Sequence, residues 1–188
     1  MQSEIKNWGF QEYLSAGYFF LLLLGVITES VFYRIIGINI LQYAGLSDIL
    51  ISPISLLTAN PFLIIILLII TGFTYLFMKH LLPKMANRKA AGKAVPISDT
   101  RLLLLMAQFV LFLFIGIEIG RGLKLKAKIA EGKTLPDFII KFSESGEQPV
   151  KVVGQNASYL FYVPEGEKQV IICPIGGNII QMKKLVNP

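Results

Sequence analysis

The chain has 188 residues, 54% of them hydrophobic and only 16% charged, with a formal net charge of +6. A soluble domain carries roughly 25% charged residues; the deficit here falls in three long apolar blocks, which points to an integral membrane protein with room for one small domain beyond it. One cysteine, Cys173, excludes an intrachain disulfide, and one histidine, His80, leaves no zinc cluster or Ser/His/Asp triad to assemble.

In chain order, Glu4 and Glu12 beside Lys6 give no basic leader region, so a cleaved signal peptide is not expected. The first span runs from about Gly17 to Ile38 and opens on Tyr18, Phe19, Phe20 and four leucines, Leu21 to Leu24. Trp8, Phe10, Tyr13 and Tyr18 suit the headgroup level. Asn39 to Asn60 is too apolar for a loop, yet it is interrupted by Gly45, Asp48 and Pro53. It reads as a short interfacial or re-entrant helix over 45–58, with a fourth span as the alternative. The second span, 61–78, starts with Asn60 as cap and Pro61 in the first helical turn. A basic loop, 79–101, follows; the simplest reading of its charges is the excess found in cytoplasmic loops. Lys84, Arg88, Lys89 and Lys93 in it are candidates for binding lipid or a partner. The third span, 102–120, is capped by Ser98, Asp99 or Thr100. Past it, Arg121, Lys124, Lys126, Lys128 and Lys133 continue the helix until Gly132 and Pro136 stop it. Arg121, Lys124 and Lys128 are the second set of candidates for lipid or partner contact.

The periodicity then changes. Phe138–Phe142, Val150–Val153, Tyr159–Val163, Val170–Ile175 and Ile179–Met182 are short β-rich runs separated by turn residues. The expected fold is therefore a membrane helical bundle, 1–133, followed by a small all-β domain, SH3-like or five-stranded, at 137–188. Some 50 residues make a marginal core, so support from oligomer contacts or from the membrane surface is expected. Cys173 belongs in a buried strand. Asn156-Ala157-Ser158 matches a glycosylation sequon but falls in a tight turn.

Three ionisable residues lie in the apolar blocks: Glu29, Arg34 and Glu118. Charge in a membrane is costly and faces the bundle or a wet crevice. With three spans, the first and third are parallel. Arg34 lies 17 residues beyond Gly17 and Glu118 17 beyond Arg101, which allows them to pair within a subunit or between subunits, although snorkelling to the interface is the simpler role for both. Glu29 either lines a pore or ties helices together through Thr28, Ser30 or Gln108. Gly116-x-x-x-Gly120, with Gly122 beside it, matches a close-packing motif.

Lysine and arginine counts of seven inside against six outside favour a cytoplasmic N-terminus only slightly. The absence of either residue from 39–60 adds to that reading, because this connection then crosses readily. The β domain is then extracytoplasmic.

Phe32-Tyr33-Arg34-Ile35-Ile36-Gly37-Ile38-Asn39-Ile40-Leu41-Gln42-Tyr43 with Ser47-Asp48-Ile49-Leu50, and the tail around Val152-Val153-Gly154, Ser158-Tyr159-Leu160-Phe161, Pro174-Ile175 and Asn178-Ile179, are similar to patterns in small bacterial membrane proteins of unassigned activity. The resemblance covers about a third of the chain. It implies a bacterial inner membrane and the same helices-then-sheet layout, and it transfers no functional residue. Bacterial phage-defence operons often include membrane proteins of this build, an analogy of architecture only. The expected function is a non-enzymatic, homo-oligomeric sensor or channel-like protein whose β domain senses or docks; the alternative is an anchor subunit of a larger complex. Membrane lipids and a protein are the expected partners. Nucleic acid, a metal and other cofactors are not expected.

Overall fold

The computed structural model describes residues 9–59, 61–81 and 99–185. Among these, helices α1 (Phe10–Ile35), α2 (Leu46–Ala59), α3 (Pro61–Leu76) and α4 (Asp99–Ala130) precede strands β1 (Phe138–Phe142), β2 (Gly146–Gln155), β3 (Tyr159–Pro164), β4 (Ile171–Pro174) and β5 (Ile179–Lys184). The basic-loop candidates Lys84, Arg88, Lys89 and Lys93 lie outside the described residues.

Helix α1 begins seven residues earlier than the apolar block, at Phe10, where the Glu12 carboxylate accepts the Gly9 N–H at 2.7 Å. It ends in a Schellman motif. Gly37 adopts φ 89°, Gly37 N–H donates to Arg34 O at 3.1 Å and Ile38 N–H donates to Tyr33 O at 2.8 Å. Helix α4 closes the same way on Gly132, with Gly132 N–H to Ile129 O and Lys133 N–H to Lys128 O. Among the described residues, two helices are long and apolar enough to cross a membrane, Phe10–Ile35 and Leu103–Ala130. Only 17% and 11% of their most apolar stretches is buried within the protein, the opposite of a soluble core helix. Phe19, Phe112 and Ile119 face outward, as do Leu68 and Phe73 of α3. The segment expected as a second span is the apolar helix α3 continued by a π-helical turn, Phe77–Leu81.

Helices α1 and α4 lie side by side and parallel. Leu24 packs with Phe114, Phe32 lies under the Arg121 guanidinium at 5.1 Å, and Ile35 meets Gly122. This register overturns the expected Arg34–Glu118 pair within the chain. Counting from the apparent starts of the apolar blocks misplaces one helix against the other by about a turn. Arg34 is exposed, and Glu118 pairs on its own helix with Arg121. Gly116 and Gly120 are exposed with open space at the Cβ position, so within the chain the close-packing role falls instead to Gly122 and Gly25.

Helix α2 is the expected short helix of the 39–60 segment, and it packs against α1. At 14 residues it is about 21 Å long, short of a hydrocarbon core of about 30 Å. Its Pro53 has no N–H for the Ile49 carbonyl four residues back. That carbonyl lies against Gly25 of α1, where a side-chain Cβ would have no room. Leu56 and Leu24 bury together with Phe114 below this crossing.

The five strands form one antiparallel sheet in the order β4-β3-β2-β1-β5. Ile140, Phe142, Val150, Leu160 and Tyr162 make its own core, with Cys173 packed at the edge, where burial pushes the thiol pKa up. Strand β2 is irregular between Val152 and Gly154, where its pairing with β3 shifts. Beside this irregularity Asp137 accepts the Val152 N–H at 2.8 Å and the Lys151 ammonium at 2.6 Å. Across β1, Lys183 of β5 reaches Glu147 of β2 at 2.8 Å. Its hydrogen bond and charge hold the Glu147 carboxyl below its ordinary value. A depressed carboxyl pKa contributes stability above the unfolded value and loses it as pH falls through the folded one. Lys183→Ala is therefore expected to return the Glu147 titration, followed by NMR, to the ordinary carboxylate range with the fold unchanged.

A candidate site at the seam between helices and sheet

Strand β3 is buried on both faces. Leu160 and Tyr162 point into the sheet's core, and Phe161 points the other way, onto the end of α1. There Phe161 is fully buried among Phe32, Tyr33, Ile38 and Ile40. Its ring lies 5.1 Å from that of Tyr33 and 6.0 Å from that of Tyr43. Tyr43 also meets Tyr159 edge-on at 5.2 Å. The support expected from other copies or from the membrane surface thus comes, within one chain, from the helices themselves.

Two contacts fix the seam further. The Asn156 amide donates to Tyr43 O at 3.0 Å, while its oxygen accepts the N–H groups of Ser158 and Tyr159. The sequon asparagine therefore organises a turn and a contact with the α1–α2 connection, a use that glycosylation would disrupt. Gly154 lies against the Tyr33 hydroxyl, so closely that a Cβ there would overlap it. Gly154→Ala is expected to destabilise by about 2 kcal/mol through overpacking. Removing the hydroxyl with Tyr33→Phe should recover most of that loss, a coupling read by a double-mutant cycle.

Between α1, α2, α4 and the β2–β3 end lies a cavity of about 320 Å³. Glu29, Asp48, Ser52, Glu118 and Arg121 line its polar part. Of the three expected intramembrane charges it takes Glu29 and Glu118 and leaves out Arg34. The Ser52 hydroxyl of α2 donates to Glu29, so the partner of Glu29 is neither Thr28, Ser30 nor Gln108. Thr28 turns its hydroxyl back onto Leu24 O at 2.7 Å. Asp48 caps the first turn of α2 by accepting the Gly45 N–H at 3.0 Å. Glu118 is buried and accepts from Arg121 Nη1 at 2.7 Å; the Arg121 side chain is 48% exposed. Lys124 and Lys128 of the second basic set lie exposed on the following turns of α4, away from the cavity lining.

Sequence reasoning missed Ser52, Asp48, Tyr33 and the end of β2 at 153–156 as parts of this site. The available signal was Gly25 on α1, one turn from Glu29, which marks where another helix comes close. Among the described residues no group of three or more His, Cys, Asp or Glu is placed to hold a metal ion. Comparison with protein-family models, with curated proteins and with solved structures returns no match.

Breaking a buried ion pair by removing one partner costs about 3–5 kcal/mol. Half of the Arg121 side chain is solvated, so Arg121→Ala is expected to cost about 2 kcal/mol. Glu118→Gln added to it should restore most of that, as measured by denaturant titration in detergent micelles.

Proposed function

We propose that the chain is a non-enzymatic integral membrane protein that senses or docks a partner through its β domain and passes that event to its helices at the seam. The observation that carries this is the seat of β3 on α1. Phe161, Asn156 and Gly154 join the sheet directly to Tyr33 and Tyr43. A tethered anchor domain needs no such joint, so this favours the sensor over the plain anchor. The sheet, with β1 held between β2 and β5 and a long irregular β2, is read as an SH3-like module.

Three crossings follow from a parity argument. Parallel α1 and α4 require an odd number of returns across the bilayer between them. Helix α2 is too short to return, whereas α3 with its π turn, 16 residues and five more, reaches about 30 Å. Helix α2 is then re-entrant, held against α1 by Gly25, Ile49 and Ser52. The N-terminus is cytoplasmic and the β domain lies outside a bacterial inner membrane, because the 39–60 connection has no lysine or arginine to hold it inside. The protein works as a homo-oligomer. The exposed surface of α4 at Ile119 and Gly120 supports that reading.

The test is purification of the full chain in mild detergent, with light scattering and reconstitution into liposomes. The sensor reading expects a homo-oligomer that passes no ions by itself and whose function depends on an intact seam. A clean monomer contradicts the oligomeric reading. Ion flux that Glu29→Gln abolishes replaces the sensor with a channel. Function that persists when the seam is broken by Phe161→Ala leaves only the anchor.

A further inference from the structure

The seam cavity is built for an occupant of particular charge. Three carboxyl groups, those of Glu29, Asp48 and Glu118, line it with one guanidinium, that of Arg121. Arg121 serves Glu118, and Asp48 is engaged by the first turn of α2. Glu29 accepts only the neutral Ser52 hydroxyl among the described residues. Ionised at this depth, Glu29 calls for a cation of its own, because the neighbouring Arg121 is shared with Glu118. Phe32, Tyr33 and Phe161 also line the cavity; Phe161 is fully buried and Arg121 already covers the Phe32 ring, so these aromatics close it on one side. Arg121 gives one N–H to Glu118 and, half exposed, keeps further donors suited to a phosphate.

The cavity also lies where α4 turns from apolar residues to the lysine-bearing segment after Arg121, which places it at the headgroup level. At about 320 Å³ it falls at the lower end of small-ligand pockets, roughly 300–1,000 Å³. Leu56 forms part of its wall and also part of an apolar cleft of about 490 Å³ between α2, α3 and α4. Ile66, Ile70 and Phe112 line that cleft, and Gly116 leaves it open. A polar cavity and an apolar cleft sharing one residue match a headgroup and its acyl chain.

We propose that this cavity binds a zwitterion carrying a primary ammonium and a phosphate, with the ammonium at Glu29 and the phosphate at Arg121, and that its source is a phosphatidylethanolamine whose acyl chain follows the apolar cleft. The lipid source rests on the membrane reading above; the shared chemistry also fits the soluble headgroup, glycerophosphoethanolamine. Bound there, the lipid touches α1, α2, α4 and the β2–β3 end together, so its occupancy strengthens the seam.

The test uses the full chain in mild detergent and native mass spectrometry. Phosphatidylethanolamine and phosphatidylglycerol with identical acyl chains are offered at equal concentration, and glycerophosphoethanolamine is offered separately. The expected result is retention of phosphatidylethanolamine about tenfold over phosphatidylglycerol, with that preference lost in Glu29→Gln and phosphatidylglycerol binding unchanged. Equal retention of the two lipids by the wild-type chain overturns the lipid assignment, and this comparison needs no variant to fold. Binding of glycerophosphoethanolamine alone, sensitive to Glu29→Gln, keeps the chemistry and moves its source to solution. Binding of neither, or a preference that a monodisperse Glu29→Gln protein retains, overturns the site. Alkaline extraction of membranes separates the two readings: a chain released by alkali defeats the membrane reading whatever the headgroup does. A chain that resists alkali but shows no preference defeats the cavity assignment alone.

Discussion

Phe161→Ala is expected to destabilise the protein by about 3–5 kcal/mol, the usual cost of deleting a fully buried aromatic ring. The location of the damage is the more telling outcome. The ring contacts Tyr33 and Tyr43 and has no part in the sheet's own core, which is built from Ile140, Phe142, Val150, Leu160 and Tyr162. Hydrogen exchange should therefore rise across 36–45, where Ile38, Ile40 and Tyr43 lose their partner, while β1 and the paired part of β2 stay protected. Phe142→Ala, on the other face, should loosen the sheet and spare the end of α1. Equal loss of protection in both variants would mean that the sheet and the seam unfold as one unit.

Gly25→Ala is expected to cost about 3 kcal/mol, at the upper end of overpacking. The new methyl meets the Ile49 carbonyl, a main-chain atom that cannot rotate away. Relief requires α2 to move as a body, which separates Ser52 from Glu29 and Leu56 from Leu24. Alanine is a better helix former than glycine by about 1 kcal/mol, so the measured loss is a net one. The same substitution at Gly116, where a methyl meets open space in the single chain, should be neutral or slightly stabilising there. A thermal unfolding series in detergent on both variants tests the contrast. Equal effects at the two positions would show that α2 does not seat on α1.

Much of the fold was legible because composition and periodicity act locally. The apolar blocks gave α1, α3 and α4, and the change to short β-rich runs after Pro136 marked the sheet. Strand bounds came within a residue or two at Phe138–Phe142 and Tyr159–Pro164, and missed the length of β2, which starts at Gly146 among polar residues. What stayed hidden depends on how helices slide against one another. Hydropathy marks where a block begins but not where a helix sits beside its neighbour. Helix α1 starts at Phe10, outside its apolar block, and the count that matched Arg34 to Glu118 inherited that error. The double burial of β3 left a readable trace: Leu160-Phe161-Tyr162-Val163 does not alternate, as a strand covered on both faces need not. The site residues on α2 left less, because Ser52 and Asp48 look like ordinary helix-face and capping residues until Gly25 brings α2 close.

The claim on which the account most depends is that α1 and α4 cross the membrane in the same direction, so the N-terminus and the β domain lie on opposite sides. Single cysteines at Ser3 and at the exposed Gly166 turn, with Cys173 replaced, can be labelled in intact cells with a membrane-impermeant thiol reagent. Labelling at Gly166→Cys before lysis and at Ser3→Cys only after lysis is the predicted result. Labelling of both before lysis, or of both only after it, would place them on one side and contradict the three-crossing arrangement.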